Sequence, residues 1–351
     1  MVPRRLVMPE VSTELGRVAT TLALTGRYAD PYVVPTGPTA HPVPLATGLL
    51  ALIYRLFALT LTAGLVRCFV CIAAYSAVYA MMPWVAGRCG LGVPAGLIGG
   101  TAGAVFPLWS AAEVLGWSVA EPGGAILLGV VMAALARRWS LPAPGTGGAL
   151  AAGIALGVAF HFTPALLLVM LGYVAFELWW RRGHPRWHGA ALLLLGAALA
   201  CAPWAWRNHA VFGELFFIRS NFGLELRLAN HDGADADVEV LAAREGDAMP
   251  HPGINREEAE KVREWGEMKY MRRARREAFG WIRSHPGEFT RLTAARFGHF
   301  WLGPVRRPLD AAPFTLLSVL GLLGIRRTWP ALTPPQRGAL LVPLATFPLV
   351  C

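Results

Sequence analysis

Charge is scarce in this chain, and one source of it is almost missing. Asp, Glu, Lys and Arg make up 15% of the 351 residues, and Lys261 and Lys269 are the only lysines. A soluble domain carries about a quarter charged residues, so this share beside 55% hydrophobic residues excludes an ordinary water-soluble domain. The composition is that of an all-α polytopic membrane protein. Cysteine is scarce too. Cys68, Cys71, Cys89, Cys201 and Cys351 lie mostly in or beside apolar runs, which excludes a disulfide framework. Cys68 and Cys71 form a CxxC, but within RCFVCIAAY they read as small apolar helix residues rather than a metal or redox site. The opening MVPRRLVMPE lacks the apolar core of a signal peptide. The net charge of +10 is nearly all arginine, scattered between apolar segments, which argues against nucleic acid. It leaves a positive-inside bias, or a surface that meets anionic lipid or phosphate.

What is present begins with a stiff polar loop, GRYADPYVVPTGPTAHPVP, from Gly26 to Pro44. Pro31, Pro35, Pro38, Pro42 and Pro44 fix φ and remove donors, so the loop can hold Asp30, Thr36, Thr39 and His41 in place. A plain proline-rich connector is the competing reading. Before it, Val11, Leu15, Val18 and Leu22 form a helical stripe with Glu14, Arg17 and Thr21 away from it. This predicts a short interfacial helix stopped by Gly26. After it, Leu45 to Leu61, broken by Arg55, predicts a second interfacial helix.

Apolar runs then predict spans near 62–85, 91–112 and 122–136, two over 141–180 turning at His161-Phe162-Thr163-Pro164, and others over 188–206, 311–325 and 336–351. With alternating spans, Arg88, Arg137-Arg138, Arg181-Arg182, Arg326-Arg327 and Arg337 share one side, the cytoplasm. The expected division is a first outer loop over 1–61, a helical bundle over 62–206, an outer helical segment over 207–310 and C-terminal spans over 311–351. An N-terminus outside without a preceding span, and an end inside the apolar LLVPLATFPLVC, predict a truncated chain. In the outer segment, Asn255 to Arg283 predicts one amphipathic helix with a Glu257–Lys261 pair and a basic second half, MRRARRE. That basic face is either solvated or set against anionic headgroups. Pro286 opens a further helix whose Phe289, Leu292, Phe297 and Phe300 form its apolar side.

GRYADPYVVPTGPTAHPVPLATGLLALIYRLFA, APWAWRNHAVFGELFFIRSNFGLELRLAN and HPGEFTRLTAARFGHFW together resemble the GT-C superfamily of membrane glycosyltransferases. Within it the chain looks like the bacterial proteins related to protein O-mannosyltransferases, aminoarabinose transferases and the RgtA/B/C/D-like group. The resemblance runs over most of the chain, in order. It implies a GT-C-like helical bundle in the bacterial plasma membrane, with the active face periplasmic. It also implies a sugar carried on polyprenyl phosphate and transferred with inversion to a lipid, glycan or protein acceptor.

Such a reaction needs a carboxylate to take the acceptor's proton, and a cation to hold the phosphate leaving group. The family's acidic motif is often an Asp-Glu pair before the first interfacial helix, and this chain has no such pair. Glu10 and then Glu14 stand closest by context, with Asp30 the remaining acid of the loop. A second acidic position of the family falls at Glu113 or Glu121, of which Glu121-Pro122 better fits the opening of a helix. Stabilisation of a helix N-terminus competes with these roles, and explains Glu121 equally well. Arg207 and Arg219 suit a lipid-linked phosphate, with Asn221 and the loop's His41 beside the substrate; interface anchoring competes for Arg207. No cluster has metal-ligand spacing in sequence, although Glu and His side chains at one outer surface could hold a divalent ion. Two rivals remain. A transporter needs a polar path through the spans, and a non-catalytic scaffold needs no converging site.

Overall fold

A computed structural model describes residues 9–105, 118–142, 144–180, 187–304 and 308–350. These residues form fifteen α-helices with short 3₁₀ turns and no β-strand. The chain opens with α1 (Glu14–Thr25), followed by α2 (Pro44–Phe57), α3 (Leu61–Arg88), α4 (Val93–Val105), α5 (Ala120–Trp139), α6 (Thr146–Phe160), α7 (Leu166–Trp180) and α8 (Trp187–Phe212). It continues with α9 (Phe222–Ala229), α10 (Val238–Glu245), α11 (Arg256–Trp265), α12 (Glu267–Ser284), α13 (Pro286–Leu302), α14 (Pro308–Thr328) and α15 (Pro334–Thr346). Two compact units result. One contains Val43–Ile218 and Arg327–Val350; the other contains Val11–Pro42 and Arg219–Arg326. The boundary therefore cuts the expected first outer loop at Pro42, because the proline-rich loop packs with the outer helices while α2 packs with α3.

In the first unit α3, α5 and α8 are long and apolar enough to cross a membrane. They cover the spans expected over 62–85, 122–136 and 188–206. Three other apolar runs of this unit make shorter helices, α4 with 13 residues and α6 and α7 with 15 each, while the run expected over 311–325 lies in the 21-residue α14. At 1.5 Å per residue these reach roughly 20–23 Å, less than the ~30 Å of a hydrocarbon core. The expected run over 91–112 passes beyond the described residues after Val105.

The centre of this unit is a close crossing of α6 and α8. A Cβ built on Gly153 would lie 2.2 Å from the Leu193 carbonyl oxygen, and one on Gly157 would lie 2.7 Å from that of Ala197. Only glycine allows this approach, and the two stand four apart on one face of α6, the small-x-x-x-small pattern of tightly packed apolar helices. Leu65, Phe69, Ile98, Leu199 and Trp206 point outward, each more than half exposed.

Arg138 does more than mark one side of a span. It is buried at the end of α5, where Nη2 lies 3.2 Å from Glu177 Oε1 of α7 and Nη1 donates to the Gly145 carbonyl at 2.6 Å. The Trp139 indole donates to the other oxygen of Glu177. The pair sits at helix ends rather than mid-helix, so it ties α5 to α7 without making a polar path through them.

The second unit has its own core of Tyr32, Val34, Leu224, Ala259, Val262, Tyr270 and Met271. The amphipathic helix expected from Asn255 to Arg283 is two helices. Gly266, at φ 80° and ψ 150°, ends α11 and begins α12, a backbone conformation closed to side-chain-bearing residues. Lys261 pairs with Glu258 at 2.5 Å rather than with Glu257. Glu258 also accepts from Tyr270 at 2.5 Å and from Arg227 at 2.7 Å, joining α9, α11 and α12. On α13, Leu292 is buried, whereas Phe297 and Phe300 of the expected apolar side are exposed.

Candidate functional site

The site lies wholly in the second unit and is built from α1, the proline-rich loop, the turn at 251–253 and the first residues of α12. α1 begins at Glu14 rather than at Val11, which lies in the 3₁₀ turn Pro9–Ser12, because Thr13 caps it: Thr13 Oγ1 accepts the Gly16 amide at 3.1 Å. Its polar side, however, does not face open solvent. Arg17 Nη1 donates to the carbonyls of Pro31 and Gly253 at 3.3 and 3.2 Å, and Glu14 turns into a buried cluster. An interfacial helix would leave these groups at the headgroups; here they hold the loop.

The loop folds on itself. Asp30 adopts φ 63°, which aspartate tolerates, and its Oδ1 accepts the amides of Thr36 and Gly37 at 3.0 and 2.8 Å. Its own amide donates to the Gly37 carbonyl at 2.9 Å. The loop is then clamped by Glu267, buried at the first position of α12. One carboxylate oxygen accepts from Thr39 Oγ1 at 2.5 Å; the other accepts from the Ala40 amide at 2.8 Å and from Ser220 Oγ at 2.6 Å.

That clamp fixes His41, which is 1% exposed. His41 Nε2 lies 2.6 Å from Glu14 Oε2, and Nδ1 lies 3.1 Å from the Tyr32 hydroxyl. Arg219 Nε donates to the His41 carbonyl at 2.5 Å, and its Nη2 lies 3.8 Å from Glu225. His251 completes the group, with Nε2 3.5 Å from Glu14 Oε1. A Cβ on Gly253 would come within 2.8 Å of the same oxygen, so a side chain there would displace the Glu14 carboxylate. Oε1 is buried and accepts no hydrogen bond.

The electrostatics follow from this packing. Burial alone would raise the Glu14 carboxyl, but His41, by charge and hydrogen bond, with His251 and Arg219, brings it below its usual range. Burial lowers the His251 imidazole against the opposing pull of Glu14. Burial pushes the Tyr32 phenol well up, reinforced by Glu267 and Glu14, so it remains a neutral hydroxyl. The result is an ionised carboxylate between two imidazoles, with Arg219 on the His41 carbonyl and one carboxylate oxygen left without a donor.

Glu14, His41 and His251 each place a ligand-type atom within 4.8 Å of the others. As a set they do not suit a cation. His251 Nδ1 accepts the Gly253 amide at 2.9 Å, which puts the ring proton on Nε2, the atom that would have to bind metal. Glu14 and His41 alone could offer lone pairs.

Of the residues singled out by sequence, Glu14, His41 and Arg219 meet here. Asn221 stands nearby in the chain, buried, with Nδ2 donating to Glu225 at 2.5 Å. Asp30 is occupied in holding its own loop. Glu121 and Arg207 belong to the first unit: Glu121 accepts from Ser118 Oγ at 2.7 Å at the start of α5, and Arg207 lies over the Trp204 ring at 4.9 Å. Glu10 falls in a 3₁₀ turn, Pro9–Ser12, and Glu113 lies outside the described residues. Sequence reasoning missed His251 and Glu267 as partners of the loop. Neither carries a local signal, since each meets the loop only through the fold. Set against known protein families, curated proteins and solved structures, the chain matches none.

Proposed function

We propose that this chain is an integral membrane glycosyltransferase of GT-C architecture, moving a sugar from polyprenyl phosphate to a cell-envelope acceptor. The reaction takes place on the periplasmic face of the bacterial plasma membrane, and the acceptor is a lipid, glycan or protein. The observation that carries this reading is that Glu14 and Arg219, a base and a phosphate-type cation, are held on the same residue, His41. The three long apolar helices and the exposed apolar side chains of the first unit support the membrane setting.

In this reading Glu14 accepts the proton of the acceptor hydroxyl or amine. The freed electron pair attacks the anomeric carbon from the side opposite the phosphate, and the bond from that carbon to the phosphate oxygen breaks. The leaving electron pair stays on the phosphate, whose charge the Arg219 guanidinium offsets. His41 and His251 hold Glu14 ionised and aimed, and Tyr32 fixes the His41 ring. Attack opposite the leaving group gives inversion. The test is sugar transfer from radiolabelled polyprenyl-phosphate sugars by membranes containing the full chain, against membranes without it. Label moved to an envelope acceptor with inverted configuration supports the assignment. No transfer from well-inserted protein across a panel of hexosyl and pentosyl donors contradicts it.

A further inference from the structure

The outer side of α12 presents a stripe of cations. At 3.6 residues per turn Lys269, Arg272, Arg276, Phe279 and Arg283 fall within about 80° of one another. All five are exposed, and Met271, Ala274 and Ala278 fill the core on the far side of the helix. Several other basic side chains in this unit find acids: Arg227 meets Glu258 and Glu277, Arg273 meets Glu277 at 2.8 Å, and Arg291 meets Glu288 at 2.5 Å. Among the described residues, Lys269, Arg276 and Arg283 form no ion pair. Lys269, Arg276 and Arg283 follow one another at seven-residue steps, so positive charge lines up along this face and an outside anion would offset it.

We infer that this face of α12 binds an anionic lipid surface. The guanidinium groups match phosphate oxygens in pairs, and two features favour lipid over a dissolved polyanion. Phe279, 41% exposed in the middle of the stripe, gives it an apolar contact that a headgroup region accepts and a soluble polyanion does not use. The same chain carries helices long and apolar enough to cross a bilayer, which keeps a lipid surface at high local concentration.

The two lysines make the test internal. Lys261 is held by Glu258 and reports the fold, whereas Lys269 lies in the stripe. The full chain is placed in nanodiscs of phosphatidylcholine, with or without about a third phosphatidylglycerol, and acylation by an amine reagent is followed at both lysines by peptide mass spectrometry. The proposal expects Lys269 to react about fivefold or more slowly with anionic lipid while Lys261 is unchanged, and 0.5 M salt, on the order of a 4 Å screening length, to restore the rate. Combined Arg272→Gln, Arg276→Gln and Arg283→Gln changes should remove the protection. Equal Lys269 rates in both lipids overturn the proposal. So does equal protection by inorganic phosphate or polyphosphate in phosphatidylcholine discs, or protection that survives the three substitutions. The salt response of the unsubstituted chain decides the matter if the variant folds poorly.

Discussion

At the scale of single residues, the account depends on which side chains hold His41. Glu267 is the strongest of them, because its two oxygens accept three hydrogen bonds from Thr39, Ala40 and Ser220 in a buried position. Glu267→Gln keeps the shape but sets an amide donor against one of those donors. A hydrogen bond to a buried charge contributes about 1.5–3 kcal/mol, so the second unit should lose stability of that order, read as a lower thermal midpoint. Unchanged stability would mean that the loop is held by its prolines alone. Acid should act through two groups in turn. The lowered His251 takes up its proton less readily when folded than when unfolded, so stability falls as pH drops below about 6.5, the unfolded value. The lowered Glu14 contributes stability that is present above its unfolded value near 4.5 and is lost as pH falls below it. His251→Gln should remove the upper part of that decline in a melting-temperature series, and leave the lower part.

At the scale of elements, part of the structure was written locally and part was not. Thr13, Gly26, Pro44 and Pro286 mark helix ends by capping, positive φ or fixed φ, and each helix begins or ends beside them. Gly266 was less legible, since a single glycine inside a helical pattern is tolerated as often as it breaks the helix. The stripe of Val11, Leu15, Val18 and Leu22 gave the helix but not its setting: Gly16, Val18, Ala19 and Ala23 are buried, a face turned by the neighbours that the helix meets. The crossing of α6 and α8 was present in the sequence as Gly153-x-x-x-Gly157. Gly153→Val would drive a side chain into the Leu193 carbonyl, and the yield of folded, monodisperse protein should fall sharply. Gly147→Ala on the same helix, which meets nothing, should leave the yield unchanged.

At the scale of the whole molecule, the sequence announced helices and apolar runs, because 3.6-residue periodicity and run length are local properties. Run length did not settle how each run is used: three are long enough to cross a membrane, while α4, α6 and α7 end short of that length. The candidate site was half legible. Glu14, His41 and Arg219 could be chosen for their chemistry. That Glu14 outranks Glu10, the first choice by context, could not, because only the fold brings His41 and His251 to Glu14; Asp30 is filled by Thr36 and Gly37, and Glu14 keeps one oxygen without a donor. His251 and Glu267 reach the loop only by long-range packing, for which a single sequence carries no pattern.

The measurement closest to the central claim is single-turnover sugar transfer from polyprenyl phosphate by the full chain, with Glu14→Gln and Asp30→Asn compared in the same membranes. If Glu14 takes the acceptor's proton, Glu14→Gln should slow the chemical step by about a hundred- to ten-thousand-fold with donor binding little changed. Asp30→Asn should act through loop stability and recover at lower temperature. Full turnover in Glu14→Gln, or a loss confined to donor affinity, would contradict the assignment of Glu14 as the base.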